Sequence, residues 1–344
     1  MLSDYILDFL LVLFVGQRFH HPENECLYCK PPDFKPSVVQ RSSLPPAANN
    51  HTRVVVVSDT HEQHDALGKL PRSDIFVHCG DILMVSGNFS TTAALKKVLK
   101  FNSWLATVDA ATKLVVAGNH DAILEKIGKA ETQRFLSNSI YLENEEMTIN
   151  NMNIWASPYS EKGKTRSRNN AFQSKEYLQR TLSQLPPSDG KTMDLLITHG
   201  PVPVLANKIP HTYHLWGHRH NSYGVYHRRD NSAQPGLLSV CAPIMDGNFR
   251  PCNLPVVIDI LNRIGEEEGG GDAKNKSPRK EECYSISQAN TNTVFVTLAR
   301  TVFSASLGIP VPVSVPVPVP VPVPPGSRSM TLQRLGPIFP DIPT

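Results

Sequence analysis

The chain has 344 residues, 40% of them apolar and 19% charged, with a formal net charge of +3. That length can bury a large core without filling a single compact domain, so one catalytic domain with appendages is the natural organisation. The slight positive total disfavours the concentrated basic face of a protein that binds nucleic acid stably, and six scattered cysteines disfavour a disulfide scaffold and fit a reducing, cytoplasmic setting.

Near the start, Ile6 to Val15 is a short apolar run interrupted by Asp8 and preceded by Asp4. It is about half the ~20 residues a membrane span requires, and it lacks the positive flank of a secretory signal. A docked or frayed helix is expected there, with no membrane span. Residues 1–51 read as a poorly ordered extension. Its Cys26 and Cys29, with His20 and His21 upstream, form a single C-x-x-C, which without a second pair is a poor zinc signal.

Ordered structure is expected from near Thr52, the start of a catalytic domain running to residue 262. Arg53 to Val57, Ile75 to His78 and Leu114 to Ala117 are short β-branched or apolar runs that read as buried strands. Between the last two, Thr91 to Leu105 carries Ala94, Leu95, Val98, Leu99, Phe101, Trp104 and Leu105 at helical spacing, which makes the pattern β-α-β. A helix from Asp121 to about Ile127 follows. Met147–Ile149 and Met152–Ala156 flank Asn150 and Asn151 as a hairpin would. Phe172 to Leu185 returns to helix until Pro186 and Pro187 stop it, and Leu195 to Thr198 is another buried strand. Tyr213–Trp216, Tyr223–His227, Leu237–Val240 and Val256–Ile260 supply the closing strands. The expected class is α/β, two packed sheets with outer helices.

Beyond Leu261 the composition breaks. Residues 263–290 are Gly-rich and dense in mixed charge, with little apolar area to offset the entropy of ordering them, so a flexible segment is expected. The last stretch, 291–344, holds a candidate strand at Thr293 to Ala299 and then alternates Val and Pro from Pro310 to Pro325. Alternating proline removes every second amide donor, which predicts an extended polyproline II rod. Such a rod is a stiff spacer, or the ligand of a proline-motif-binding partner.

Chemistry is carried by five clusters in series: Asp59-Thr60-His61, Gly80-Asp81, Gly118-Asn119-His120-Asp121, Thr198-His199-Gly200 and Gly217-His218-Arg219-His220. Each alone is weak, since an Asp after Gly is commonly turn chemistry and a lone His is commonly structural. Their placement at strand exits is what matters, because loops beyond the carboxyl ends of strands in an α/β sheet meet in one crevice. His218 and His220, at alternate positions, would fall on one side of an extended segment. Asp121 could orient the His120 imidazole or cap the helix that follows.

The ordered motif set resembles that of the calcineurin-like metallophosphoesterases. Ser58-Asp59-Thr60-His61, Ala156-Ser157-Pro158-Tyr159 and Pro255-Val256-Val257-Ile258-Asp259 resemble more narrowly its small metallophosphoesterase-domain-containing branch, which includes cyclic-nucleotide-type phosphodiesterases. The resemblance covers roughly Thr52 to Leu261. It implies a four-layer α-β-β-α sandwich of two mixed sheets flanked by helices. It also implies a dinuclear centre in which Asp59, His61 and His220 hold one ion, Asn119, His199 and His218 hold the other, and Asp81 bridges them.

Paired ions about 3.5–4 Å apart would neutralise a phosphodiester and generate hydroxide from shared water near neutral pH. His120, poised by Asp121, is the expected proton donor to the leaving oxygen. Four imidazoles, two carboxylates and one amide, without thiolate, suit Mn, Fe or Zn better than Mg or Ca. The resemblance favours Mn. Protein phosphatases of the superfamily carry Asp-Arg-Gly after the second motif and Glu after Asn-His, whereas Ile82 and Asp121 stand at those points here, which points away from phosphoproteins. Small phosphodiesters or nucleotides are the expected substrates. Arg166 and Arg168, in the basic loop from Lys162, are candidate contacts to substrate phosphate. Cys79 is a departure that could make the centre oxidation-sensitive or simply fill space as a small apolar group. The other class of function compatible with these residues is a nucleotide-binding scaffold of low turnover.

Overall fold

The computed structural model describes residues 24–30, 34–84, 90–162, 167–187, 190–228, 237–262, 282–288, 294–302 and 311–312. The apolar run at Ile6 to Val15, His20, His21 and most of the Val-Pro tract lie outside the described residues.

Strand β1 (Glu25–Cys29), β2 (Pro36–Gln40), β3 (His51–Val57), β4 (Ser73–Cys79), β5 (Ala110–Val116), β6 (Ile140–Tyr141) and β13 (Val256–Leu261) form the first sheet, in the order β2-β1-β13-β3-β4-β5-β6. The second sheet takes β7 (Glu145–Ile149), β8 (Met152–Ser157), β9 (Met193–Thr198), β10 (His211–Trp216), β11 (Gly224–Arg228), β12 (Leu237–Cys241), β14 (Glu282–Gln288), β15 (Val294–Val302) and β16 (Val311–Pro312). Its order is β16-β15-β14-β11-β12-β10-β9-β8-β7. Both sheets are mixed: β3 to β6 run parallel, as do β8, β9, β10 and β12, with antiparallel strands at the flanks.

The β-branched runs explain the layering. Along β3, Val54 and Val56 face the second sheet with Ile154, Ile197 and Leu215, while Val55 and Val57 face the outer helices with Phe101 and Leu105, and all four valines are fully buried. A strand buried on both faces must be apolar at every position, which is why alternation is absent. Helix α1 (Thr91–Thr107) begins at Ser90, whose hydroxyl accepts from the Ala93 amide, and buries Val98, Phe101, Trp104 and Leu105 on one face. Helix α2 (Ala122–Phe135) runs past the expected end at Ile127; Gly128, at φ 79°, interrupts it, and the helix resumes beyond. Helices α3 (Lys175–Ser183) and α4 (Pro203–Ala206) pack on the outer side of the second sheet. The expected sandwich of two mixed sheets with flanking helices is the observed fold. Asn150 and Asn151 take φ of 50° and 60°, the paired left-handed geometry of a tight hairpin turn.

Two boundaries differ from expectation. The ordered fold starts before Thr52, because β1 pairs in parallel with β13 and antiparallel with β2. Glu282–Gln288, placed by composition in the flexible segment, pairs with β11 and β15. The N-terminal hairpin joins the sheet through β13, distant in sequence, while β14 pairs mainly with its neighbour β15 and at two positions with β11. Val311–Pro312 likewise pairs with β15, where the reading placed the start of a polyproline rod. Cys26 and Cys29 lie on β1 at an odd spacing, so one thiol enters the helix-side core and the other the inter-sheet core. They cannot share an ion.

At the opposite end of β3 from Asp59, Arg53 donates through Nε and Nη2 to both oxygens of Asp259 on β13, at 2.8 Å each, and the Tyr28 hydroxyl donates to Asp259 Oδ2 at 2.8 Å. Burial and this carboxylate push the Tyr28 hydroxyl up to about 12. The cluster joins three strands. Removing its anion strands a guanidinium that is nearly buried, so Asp259→Ala should cost about 3–5 kcal/mol in urea unfolding. A loss below about 1 kcal/mol would show the pair to be dispensable.

Candidate metal centre

All five chemical clusters leave the carboxyl ends of parallel strands: β3, β4 and β5 in the first sheet, β9 and β10 in the second. There the backbone turns sharply. Asp59 (φ 52°), His61 (43°), Asp81 (57°) and His218 (67°) all sit in the left-handed region. Asp and His tolerate it better than most residues, and strain of roughly 1–3 kcal/mol per position is typically kept where it fixes a functional side chain. Gly118 is needed for a different reason: a Cβ there would stand 2.6 Å from His199 Cε1 and overlap Asp81.

The side chains converge into contiguous groups. Asp59, His61 and His220 form one, and Asp81, His199 and His218 another, with Asp81 also grouped with His61 and His120. His220 Nε2 lies 3.3 Å from Asp59 Oδ1 and 3.3 Å from His61 Nε2. His199 Nε2 lies 3.3 Å from Asp81 Oδ1 and 2.9 Å from Asn119 Oδ1, and His218 Nδ1 lies 2.7 Å from the same amide oxygen. Asp81 Oδ2 is 3.8 Å from His61 Nε2 and 3.9 Å from His120 Nε2.

Hydrogen bonds behind the rings decide what those atoms can do. Nδ1 of His61, His199 and His220 faces the backbone oxygens of Leu83 (2.9 Å), Cys79 (2.8 Å) and Asp246 (2.9 Å). A ring nitrogen facing a carbonyl carries a proton, so Nε2 is the inward-facing atom of all three rings and the one that offers a lone pair once it is deprotonated. The Asn119 amide is turned the same way, because its Nδ2 donates to the Asn169 carbonyl at 3.0 Å. Bare nitrogens of His61 and His220 facing each other, beside carboxylate oxygens, repel unless a cation stands among them. The donor set therefore fits divalent ions, and Asp81 is the group within reach of both clusters.

The same crowding appears in the proton affinities. Burial would raise the Asp59 carboxyl, but His220 holds it down to about 2. Burial pushes His61 down to about 3, helped by His120, and His218 down to about 4, helped by His199. Burial also opposes the charge on His199, yet the Asp81 carboxylate lifts it to about 9. A site that pulls a proton onto a fully buried imidazole is one that attracts positive charge.

Two expectations need correction. Asp121 neither orients His120 nor caps α2 with its side chain; it accepts the amides of Gly118 (2.8 Å), Leu83 (2.9 Å) and Ile82 (3.2 Å), pinning the two loops that carry Asn119 and Asp81. Burial, with Asp81 nearby, raises its carboxyl to about 7. The group that holds the His120 ring is the Met84 carbonyl, opposite Nδ1. Second, His218 and His220 do not share a side: the left-handed turn at His218 sends one ring to Asn119 and the other to Asp59. The Cys79 thiol, in keeping with its reading as a small apolar group, is fully buried in the inter-sheet core, where burial raises it well above its usual range. It fills space. Arg168 is exposed, and Arg166 and Lys164 lie outside the described residues.

Residues that the sequence reading missed are Asn169, whose Nδ2 stands 3.3 Å from His120 Nε2, and Phe249, whose ring centroid lies 5.0 Å from those of both His61 and His220. Neither belongs to a patterned motif. The carbonyls of Cys79, Leu83, Met84 and Asp246 have no sequence signature at all.

A model of the calcineurin-like phosphoesterase domain matches residues 52–222. Human metallophosphoesterase domain-containing protein 1 is 28% identical over 261 residues, covering 62% of this chain and 73% of that one. A UPF0046 protein of Caenorhabditis elegans is 24% identical over 254 residues, covering 62% of this chain and 83% of its own length. The probable rhamnogalacturonate lyase C of Emericella nidulans is 31% identical over 236 residues, which is only 20% of that protein. The matched segment runs from β3 through His220 and so contains all seven converging side chains. Through it, this chain belongs to the calcineurin-like phosphoesterase family.

Proposed function

We propose that the chain is a dinuclear metal-dependent phosphodiesterase acting on small phosphodiesters of the cyclic-nucleotide kind. One observation carries this reading: inward lone pairs from both sheets meet in two groups, with Asp81 in reach of each. Asp59, His61 and His220 would hold one divalent ion and Asn119, His199 and His218 the other, Asp81 lying between. Mn fits this mixed nitrogen and oxygen set, with Fe or Zn as alternatives. When bound, such ions neutralise phosphate charge and make shared water acidic enough to attack near neutral pH.

The chain's own groups do the rest. In-line attack on phosphorus breaks the ester P–O bond opposite the incoming oxygen, and that leaving oxygen takes its proton from Nε2 of His120 in its imidazolium form. The Met84 carbonyl holds the His120 ring through Nδ1–H, and Asn169 Nδ2 lies 3.3 Å from His120 Nε2, which must take up a proton before it can deliver one. Asp121 keeps the two ligand loops in register through the Ile82, Leu83 and Gly118 amides. Among the described residues Cys26, Cys29, Cys79, Cys241 and Cys252 are free thiols. Among the described residues no helix is long and apolar enough to cross a membrane.

Protein loaded with Mn, Fe or Zn should hydrolyse bis-p-nitrophenyl phosphate and cyclic AMP, with the diester preferred over p-nitrophenyl phosphate by about tenfold or more in kcat/KM, ~1.4 kcal/mol. No turnover with any of the three ions would leave a nucleotide-binding scaffold in its place.

A further inference from the structure

Phe249 sits where its packing alone does not account for it. The residue is bulky, yet its backbone is left-handed at φ 56°, a conformation that side chains of its size rarely adopt. A tight loop enforces it. Asp246 Oδ1 accepts the amides of Asn248 and Arg250 at 2.9 Å each, Asp246 O accepts the Phe249 amide at 2.9 Å, and Arg250 Nε donates to Asp246 Oδ2 at 2.7 Å. The same Asp246 carbonyl receives Nδ1–H of His220, so the loop that sets Phe249 is tied directly to a candidate ligand.

The ring is placed edge-on to His61 (69°) and His220 (76°), with its centroid 5.0 Å from each and 6.2 Å from that of His120. It joins neither apolar core cluster, and it stays half-buried. A strained loop thus holds a partly open phenyl ring beside the group Asp59, His61 and His220 and beside the candidate proton donor. An apolar surface at that position cannot serve the phosphate, which is charged and hydrated. It suits the organic group that the phosphate carries, and a flat aromatic group gains most from it, because base–aromatic stacking is sequence-tolerant and strong for one contact.

We infer that Phe249 is a specificity-determining residue, the platform for a planar aromatic group, nucleobase or aryl, on the phosphoester bound at the centre. The inference rests on the reading of the centre as a phosphoester site and names the substrate class it takes. Equilibrium binding tests it without requiring turnover. Calorimetry on the Mn-loaded full chain compares adenosine monophosphate, phenyl phosphate and inorganic phosphate, with ion content measured on every variant.

The wild type should bind both aromatic esters at least about tenfold more tightly than inorganic phosphate. Phe249→Leu keeps apolar bulk against the imidazoles but has no aromatic face, and it should reduce that advantage to about twofold or less while retaining its ions. Phe249→Tyr should restore the advantage. An advantage undiminished in Phe249→Leu, or absent from the wild type, would overturn the inference. Loss of ions from Phe249→Leu would overturn it too, by making the ring a shield for the ligands. Failure of the phosphodiesterase reading looks different: the aromatic preference in binding would persist while bis-p-nitrophenyl phosphate is not hydrolysed.

Discussion

Replacing Asp81 with asparagine should reduce bound ions from two per chain to at most one and lower kcat/KM on bis-p-nitrophenyl phosphate by about a thousandfold, ~4 kcal/mol. The substitution isolates charge from shape. Asparagine tolerates the left-handed backbone found at Asp81 and can still accept the His120 amide, which Asp81 Oδ1 takes at 2.8 Å. What it loses is the anion facing His199 at 3.3 Å, His61 at 3.8 Å and His120 at 3.9 Å. That anion is held ionised: burial would raise its carboxyl, but the surrounding imidazoles keep it well below the usual range. No other residue in the centre reaches both groups in this way. Metal analysis on the purified variant reads the first effect and steady-state kinetics the second. Two retained ions would remove Asp81 from its bridging position.

His120→Ala should have a different signature: kcat lower by about 10²–10⁴-fold with both ions retained. The ring is held through Nδ1 by the Met84 carbonyl, which leaves Nε2, beside Asn169, as the atom that takes up a proton and passes it to the leaving oxygen. If its task is protonating the leaving oxygen, the loss should be largest for poor leaving groups. Cyclic AMP should therefore suffer more than bis-p-nitrophenyl phosphate, whose nitrophenolate leaves without help. An equal loss on both substrates would place His120 elsewhere in the reaction. A variant that also sheds an ion would make His120 a ligand, a role its 3.9 Å approach to Asp81 leaves geometrically open.

The contrast between these residues and their supports explains what was legible in the sequence. Strand exits were readable because the carboxyl-terminal parts of β3, β4, β5 and β9 are buried on both faces and so appear as short apolar runs, each ending close to where the polar cluster starts. Shared direction of those strands then brings Asp59, Asp81, Asn119 and His199 together, which is why order and placement sufficed to find them. His218 and His220 were found, but their geometry was misjudged, because alternation on an extended segment fails once the chain turns left-handed at His218.

Asp121 was misassigned for a related reason. Adjacency to His120 suggests a partner, yet the side chain points back to the amides of Gly118, Ile82 and Leu83. Asn169, Phe249 and the carbonyls of Leu83, Met84 and Asp246 were invisible, since tertiary contact alone gives them meaning. The N-terminal hairpin was missed because β13, distant in sequence, carries it into the sheet, and β14 because the Gly-rich, charged composition around it hid a strand that pairs with its neighbour β15 and with β11.

Anomalous diffraction from Mn-soaked crystals of the full chain would test the account at its root. Two peaks per chain are predicted, one among Asp59, His61 and His220 and one among Asn119, His199 and His218, with the Asp81 carboxylate between them. A single peak, or none at these seven side chains, would contradict the dinuclear centre and with it the proposed hydrolysis.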